Sequence, residues 1–366
     1  MSSAVTTANE ADLPTKRVRR RSFDVNRICH TLNKLGLGFF VPYARLAAGD
    51  EPAKQLRKIV LDVLLPALAI LAFWGFWSLC AATVRTDSTK IPSPTETWSA
   101  WQGMQAFAAS EAAKEGAFDE KMESLATRWE AQGNAEKAAL YRSKSYSGAP
   151  TFYYQIGVSL ITIGIGFLAA TLIAVPIGIL CGLSKSFNTA LNPLIQVFNP
   201  VSPLAWLPLV FVFVTVLYEP PSDSKIFGRA LFISAGTVTL CSLWPTLINT
   251  AFGVAGIDRD HLNVAKVLKL SWWQRITKIV LPSALPLMFT GMRLSLGVGW
   301  MVLIAADMLA QNPGLGKFVW DTFQNGSTES MAQIVVAIIW IGIIGFFLDR
   351  FMFVLQRLVT FEDANA

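Results

Sequence analysis

Residues 63–84 read VLLPALAILAFWGFWSLCAATV, with no Asp, Glu, Lys or Arg among them. At about 1.5 Å per residue, a helix of this length covers the roughly 30 Å hydrocarbon core of a bilayer, so the stretch is a membrane span. Similar charge-free runs follow at Ala149–Ser184, Ser186–Tyr218 and Ala230–Ile257. Ile279–Ala306 is broken only by Arg293, and Ala332–Leu348 continues past Asp349-Arg350 to Leu355. Counted by length, these runs predict an all-α polytopic membrane protein of about six transmembrane helices. Composition agrees, with 53% hydrophobic and 15% charged residues and a mean hydropathy of +0.44. A soluble domain carries about 25% charged residues, which excludes a single water-soluble enzyme.

The formal net charge of +6 is concentrated at one end. Residues 1–58 hold eleven Lys/Arg against five Asp/Glu, and the excess stops where the first apolar run begins. That is the imprint of positive-inside topology, and no basic stripe interleaved with aromatics points to nucleic acid. The loop from Asp258 to Lys278 holds five Lys/Arg and two Asp, whereas Asp307 to Glu329 holds one Lys and three acids. The first loop is therefore expected in the cytoplasm and the second outside, with both termini cytoplasmic. Cys29, Cys80, Cys181 and Cys241 form no C-x-x-C pair, and only His30 and His261 could join them, so neither a metal site nor a cofactor is expected.

These signals divide the chain. Residues 1–58 form a basic cytoplasmic tail, with an apolar stretch at Gly36–Ala48 too short to span and suited to the membrane surface. Residues 59–84 are the first span, 85–150 a polar helical insert on the outer side, 151–358 the core with a cytoplasmic loop at 256–278, and 359–366 a second cytoplasmic tail. Within the insert, Ser93-Pro94-Thr95-Glu96 is a helix start: Ser93 caps, Pro94 suits the first helical position and Glu96 completes a capping box. Phe118, Met122, Leu125 and Trp129 then share one face, and Gly133-Asn134 introduces a short third helix. The insert reads as a stabilising cap or as a docking surface for a delivery protein. The run 186–218 carries Pro193, Pro200, Pro203 and Pro208, which survive in lipid only where protein or a cavity re-satisfies the freed backbone groups, so it is expected to line the interior. Gly178 and Gly182, and Gly291, Ser295 and Gly299, recur every fourth position and predict close helix packing.

The loop 255–282 carries the functional signal. Leu262, Ala265 and Leu268 repeat at helical spacing, and Trp272-Trp273 stand at a membrane boundary beside basic residues. A short exposed amphipathic helix of this kind fits a groove on another protein. The loop resembles the cytoplasmic signature of ABC-importer permeases: E-A-A, three residues, G, nine residues, I-x-L-P. The frame falls on Asn263-Val264-Ala265, Lys269 and Ile279-Val280-Leu281-Pro282. Asn263 stands where the family has Glu, Val264 where it has Ala, and Lys269 where a Gly permits a tight turn. Val267-Leu268-Lys269-Leu270-Ser271, Trp320-Asp321 and Leu348-Asp349-Arg350 are similar to permeases for nitrate and bicarbonate. Pro92-Ser93-Pro94 is similar to those for nitrate, sulfonate and taurine. The resemblance covers residues 59–98 and 149–358.

The resemblance implies a type I ABC importer permease in the bacterial inner membrane. It implies cytoplasmic ATP-binding subunits gripping the loop through Asp258, His261, Asn263, Val264, Ala265, Lys269, Leu281 and Pro282. It also implies a periplasmic solute-binding protein and a second permease copy, expected as a homodimer. The chain itself then hydrolyses nothing, and no G-x-x-x-x-G-K-[ST] loop occurs; Gly314-Leu315-Gly316-Lys317-Phe318 lacks its spacing and hydroxyl. The expected solute is a small anion, nitrate or nitrite foremost, with bicarbonate, cyanate or a sulfonate such as taurine as alternatives. Candidate path residues are Arg293, whose guanidinium suits a planar anion, Asp307 and Pro203. Two other classes compete. A secondary transporter or channel would need paired intramembrane acids or an ion site; a membrane-embedded enzyme would have only His261 with Asp258 and Asp260, which suit the N-terminal turn of a helix better.

Overall fold

The computed structural model describes residues 40–49, 52–84, 91–219, 227–258 and 267–359, with Cys29, Leu32, Asp260 and Asn263 as isolated positions. The chain falls into two compact units that divide after Ala69. In the first, α1 (Val41–Ala48) ends on Gly49, whose φ of +82° suits a helix C-cap. It occupies the end of the stretch assigned to the membrane surface. Helix α2 (Pro52–Thr83) starts before the predicted span and crosses into the second unit.

All further packing lies within the second unit. Its helices are α3 (Pro94–Ala131), α4 (Ala135–Ser143), α5 (Phe152–Leu183), α6 (Lys185–Phe198), α7 (Pro203–Leu217) and α8 (Arg229–Ala255). Then come α9 (Trp272–Ala310), α10 (Leu315–Asn325) and α11 (Thr328–Val359). The described residues contain no strand, and α2, α5, α8, α9 and α11 are each long and apolar enough to cross a membrane.

One expected span differs. Residues 186–218 form two helices, α6 and α7, bent by 105° at residues 199–202. Each is only about 21–22 Å long, short of the hydrocarbon thickness, so the sixth crossing exists only if the bent pair acts as one. The break has a local cause: Pro200 ends one helix, and Ser202 caps the next with Pro203 at its first position. Nor does this segment line an interior within one chain, since Phe211, Val212, Phe213 and Val216 of α7 are all exposed.

Helix α8 is the centre, packed between α5 and α9. Close approach depends on the small residues. A Cβ on Gly178 of α5 would lie 2.8 Å from the Leu247 carbonyl oxygen, and one on Gly291 of α9 would lie 2.8 Å from that of Pro245. Pro245 removes one donor from the hydrogen-bond ladder of α8, and the neighbouring Thr246 N–H donates to Ser295 Oγ of α9 at 3.0 Å. A side chain of α9 thus bonds the backbone of α8 across the helix contact. Helix α11 closes the other side of α9, where the Trp300 indole N–H donates to the Ile341 carbonyl at 3.1 Å.

The insert begins as predicted, with Ser93 and Glu96 forming the capping box. Its first two expected helices, however, are one continuous helix of 38 residues. Gly116 has neither a positive φ nor a following proline to stop it, and the first break is Gly133, at φ +79°. The segment after α4 folds back onto α3, where Tyr146 donates to Glu111 at 3.1 Å. Lys114 and Tyr146 hold the Glu111 carboxyl below the usual carboxylate range.

Candidate functional site

The segment joining α8 to α9 carries most of the predicted site. Helix α8 ends at Ala255 on Gly256, and Asp258 Oδ1 accepts the Asp260 N–H at 3.2 Å. Asn263 is helical and exposed. His261, Val264 and Ala265 lie outside the described residues. Val267, Leu268, Trp272 and Trp273 are 81%, 63%, 56% and 68% exposed, and the two indoles meet edge to face at 5.1 Å. Four large apolar side chains therefore stand together in sequence with no cover from the described residues, which marks a contact surface for lipid or another protein.

Lys269 sits in this patch with φ +48°, in the left-handed region. The lysine nonetheless makes the turn for which the family signature uses Gly, at a cost of about 1 kcal/mol. Replacing it is expected to relieve that strain. Lys269→Gly should slow hydrogen exchange of residues 268–271 by up to about fivefold, less whatever the freer unfolded chain takes back. Unchanged or faster exchange would contradict a strained turn.

Helix α9 opens with a capping box between Ser271 and Gln274 and then takes one π turn, Ile276–Val280. Pro282 is the cause. Its ring cannot sit above the carbonyl four residues back, so the ladder widens and Leu281 N–H reaches Ile276 O. Leu281 packs against Val254, Ile257, Val280, Ala284 and Met288, while Pro282 is exposed. The I-x-L-P part of the frame thus ties the exposed segment to the junction of α8 and α9.

The path candidates are placed separately. Arg293 donates through Nε to Asp349 Oδ1 and through Nη2 to Oδ2 at 2.7 Å, joining α9 to α11. Its guanidinium also lies 5.4 Å from the Phe353 ring, which Arg350 and Arg357 approach at 5.4 and 4.7 Å. Asp349 stands about 30 Å along α11 from Glu329, so this pair lies at one edge of the hydrocarbon rather than at its centre. Asp307 is fully buried. Ser159 donates to its Oδ2 at 2.8 Å and Asn312 Nδ2 to its Oδ1 at 2.7 Å. Asn312 Nδ2 also reaches Thr162 Oγ1 at 3.1 Å, and Ser159 Oγ accepts Leu315 N–H at 2.9 Å. Asp307 thereby fastens α5, the end of α9 and the start of α10. Pro203 is the first residue of α7, half-buried and apart from both clusters.

Residues 174–360 match the protein family described as the inner membrane component of binding-protein-dependent transport systems. The chain belongs to that family. Among its relatives, a nitrate import permease protein of Synechocystis is 38% identical over 206 residues, covering 56% of this chain and 69% of the relative. A bicarbonate transport system permease protein of Synechococcus elongatus is 39% identical over 206 residues, covering 56% and 68%. A putative aliphatic sulfonates transport permease protein of Bacillus subtilis is 32% identical over 203 residues, again covering 56% and 68%.

The family match on this inner membrane component takes in α8, α9, α11 and the segment between α8 and α9, and leaves α1 to α4 outside it. Three side chains that join helices were beyond sequence reasoning. Asp349 was visible as an intramembrane acid, but nothing in the spacing pairs it with Arg293. Ser159 and Asn312 carry no signal as a hydroxyl and an amide among many, because their role exists only once α5 and the α9–α10 turn meet at Asp307.

Proposed function

We propose that this chain is the permease subunit of an ATP-driven importer for a small planar anion, nitrate or nitrite foremost. Cytoplasmic ATP-binding subunits would grip the segment from Asp258 to Lys269, a solute-binding protein would deliver the anion from outside, and a second copy would complete the path. The observation that carries this reading is the exposed apolar patch of Val267, Leu268, Trp272 and Trp273, anchored to α8 and α9 through Leu281. An exposed apolar surface at the junction of two spans suits a partner that moves them. Positive-inside counting puts this patch and both termini in the cytoplasm and the α3–α4 insert outside.

We assign the Arg293–Asp349 pair to a clamp between α9 and α11, because both carboxylate oxygens already engage the guanidinium. Asp307 is assigned to the α5–α9–α10 joint, since its carboxylate is enclosed and hydrogen-bonded. Solute contacts then fall on the surface shared between copies, including α7. Bicarbonate is the second reading, favoured by a bicarbonate permease at 39% identity, level with the nitrate permease at 38%.

Uptake of labelled nitrate, bicarbonate and taurine by the complex in vesicles decides between them. The expected result is ATP-dependent nitrate accumulation that unlabelled nitrite reduces and that bicarbonate and taurine leave unchanged. Accumulation of bicarbonate instead would overturn the nitrate assignment.

A further inference from the structure

Five of the twelve tryptophans of the chain surround one cavity. Trp74 and Trp77 come from α2, Trp98 and Trp101 from the first two turns of α3, and Trp340 from α11, with Ile339 at the rim. The cavity has a volume of about 550 Å³. Among the described residues, no charged side chain lines it.

Its depth follows from the helices. Trp74 and Trp77 lie roughly 9–14 Å from the Thr83 end of α2, and Val336 to Ile343 lie roughly 10–21 Å from Glu329 along α11. The cavity therefore lies toward the Thr83 end of α2 and the Glu329 end of α11, where these two spans approach the membrane boundary. One chemical detail agrees with that depth. The Pro92 carbonyl, just ahead of α3, is met by the Trp77 indole N–H at 3.0 Å, as a backbone group without access to water requires. Trp101 packs on Trp340 at 5.2 Å and closes the inner wall. Trp98 stands at the open side, 62% exposed, and its indole N–H has no partner among the described residues. A ligand here needs an apolar body and an acceptor near one end. Indole rings favour that combination at the membrane interface.

We infer that this cavity binds one acyl chain of a phospholipid, with the ester region of the lipid accepting from Trp98. The open side faces hydrocarbon because α2 and α11 are both membrane spans. A neighbouring helix, about 10 Å across, would enter only by spreading α2, α3 and α11 apart. A single chain fits without that movement. The bound lipid would then fill the angle between the first span, the insert and α11.

The test uses the purified full-length chain in its assembled complex, in vesicles of phosphatidylglycerol doped with an analogue carrying a diazirine in its acyl chain. After illumination, cross-linked peptides are mapped by mass spectrometry. The expected result is labelling concentrated in residues 94–101 and 336–343. Ile339→Trp, which fills the rim, should reduce that labelling about fivefold, the equivalent of about 1 kcal/mol of binding. Ile338→Trp, on an exposed neighbouring position outside the cavity, should leave it unchanged. Trp98→Phe keeps an aromatic ring while removing the donor, and should weaken labelling without affecting assembly. Labelling spread evenly over exposed positions such as Leu168, Leu172 and Ile173, or equal labelling of both tryptophan variants, would overturn the site. Because nothing is transported in this experiment, its outcome is independent of which solute the protein carries.

Discussion

Leu268→Asp is expected to abolish recovery of the ATP-binding subunit with this chain, and with it solute uptake, by at least tenfold. Leu268 is 63% exposed, so the substitution empties no core and leaves no buried group unpaired, and the chain should still assemble in the membrane. What changes is the partner surface. A carboxylate placed in the middle of a desolvated apolar contact costs several kcal/mol unless a cation meets it, and about 1.4 kcal/mol already corresponds to tenfold. Co-purification against wild type measures the effect, with Leu140→Asp as the control: Leu140 is 56% exposed but lies in α4 of the insert. Equal recovery of the ATP-binding subunit with Leu268→Asp would remove the patch from the contact.

Asp307→Ala should destabilise the fold more than any change at Arg293 or Asp349. The carboxylate is fully buried and accepts from Ser159 and Asn312. Its removal strands those donors, at about 1–3 kcal/mol for each buried group left unmade. It also removes the side-chain tie to the turn Gln311–Gly314 that leads into α10, where Asn312 Nδ2 donates to Asp307 Oδ1 at 2.7 Å. Thermal unfolding in detergent should show a lowered midpoint for Asp307→Ala and a smaller shift for Asp307→Asn, which keeps one acceptor but turns its amide toward a donor. By contrast, Arg293 and Asp349 are 38% and 46% exposed, so solvent and headgroups share their charge and less is lost on truncation. A midpoint unchanged in Asp307→Ala would contradict the joint.

The long apolar runs made the membrane class and most of the spans legible, because the only patterns in competition were length and charge. The bent pair α6–α7 escaped for the same reason: an uncharged run says nothing about direction, although Ser202-Pro203 did hold a helix start. In the insert, the capping box at Ser93 was readable because its partners are three residues apart. The continuity of α3 through Gly116 was not, since a lone glycine weakens a helix without ending it. The exposed segment was legible through the spacing from Asn263 to Pro282. Lys269 was the exception, a residue whose type opposes the left-handed turn that its surroundings impose. The Arg293–Asp349 pair spans 56 positions and the Ser159–Asp307 bond 148, and no local pattern carries such distances.

The central claim is that nucleotide turnover in a partner subunit drives this membrane body through the segment between α8 and α9. Vesicles containing the chain with its ATP-binding subunits, and vesicles containing the chain alone, are loaded with ATP and given the solute-binding protein and labelled nitrate from outside under an imposed membrane potential. The account predicts accumulation in the first and none in the second. Nitrate accumulating in vesicles that hold the chain alone would contradict it.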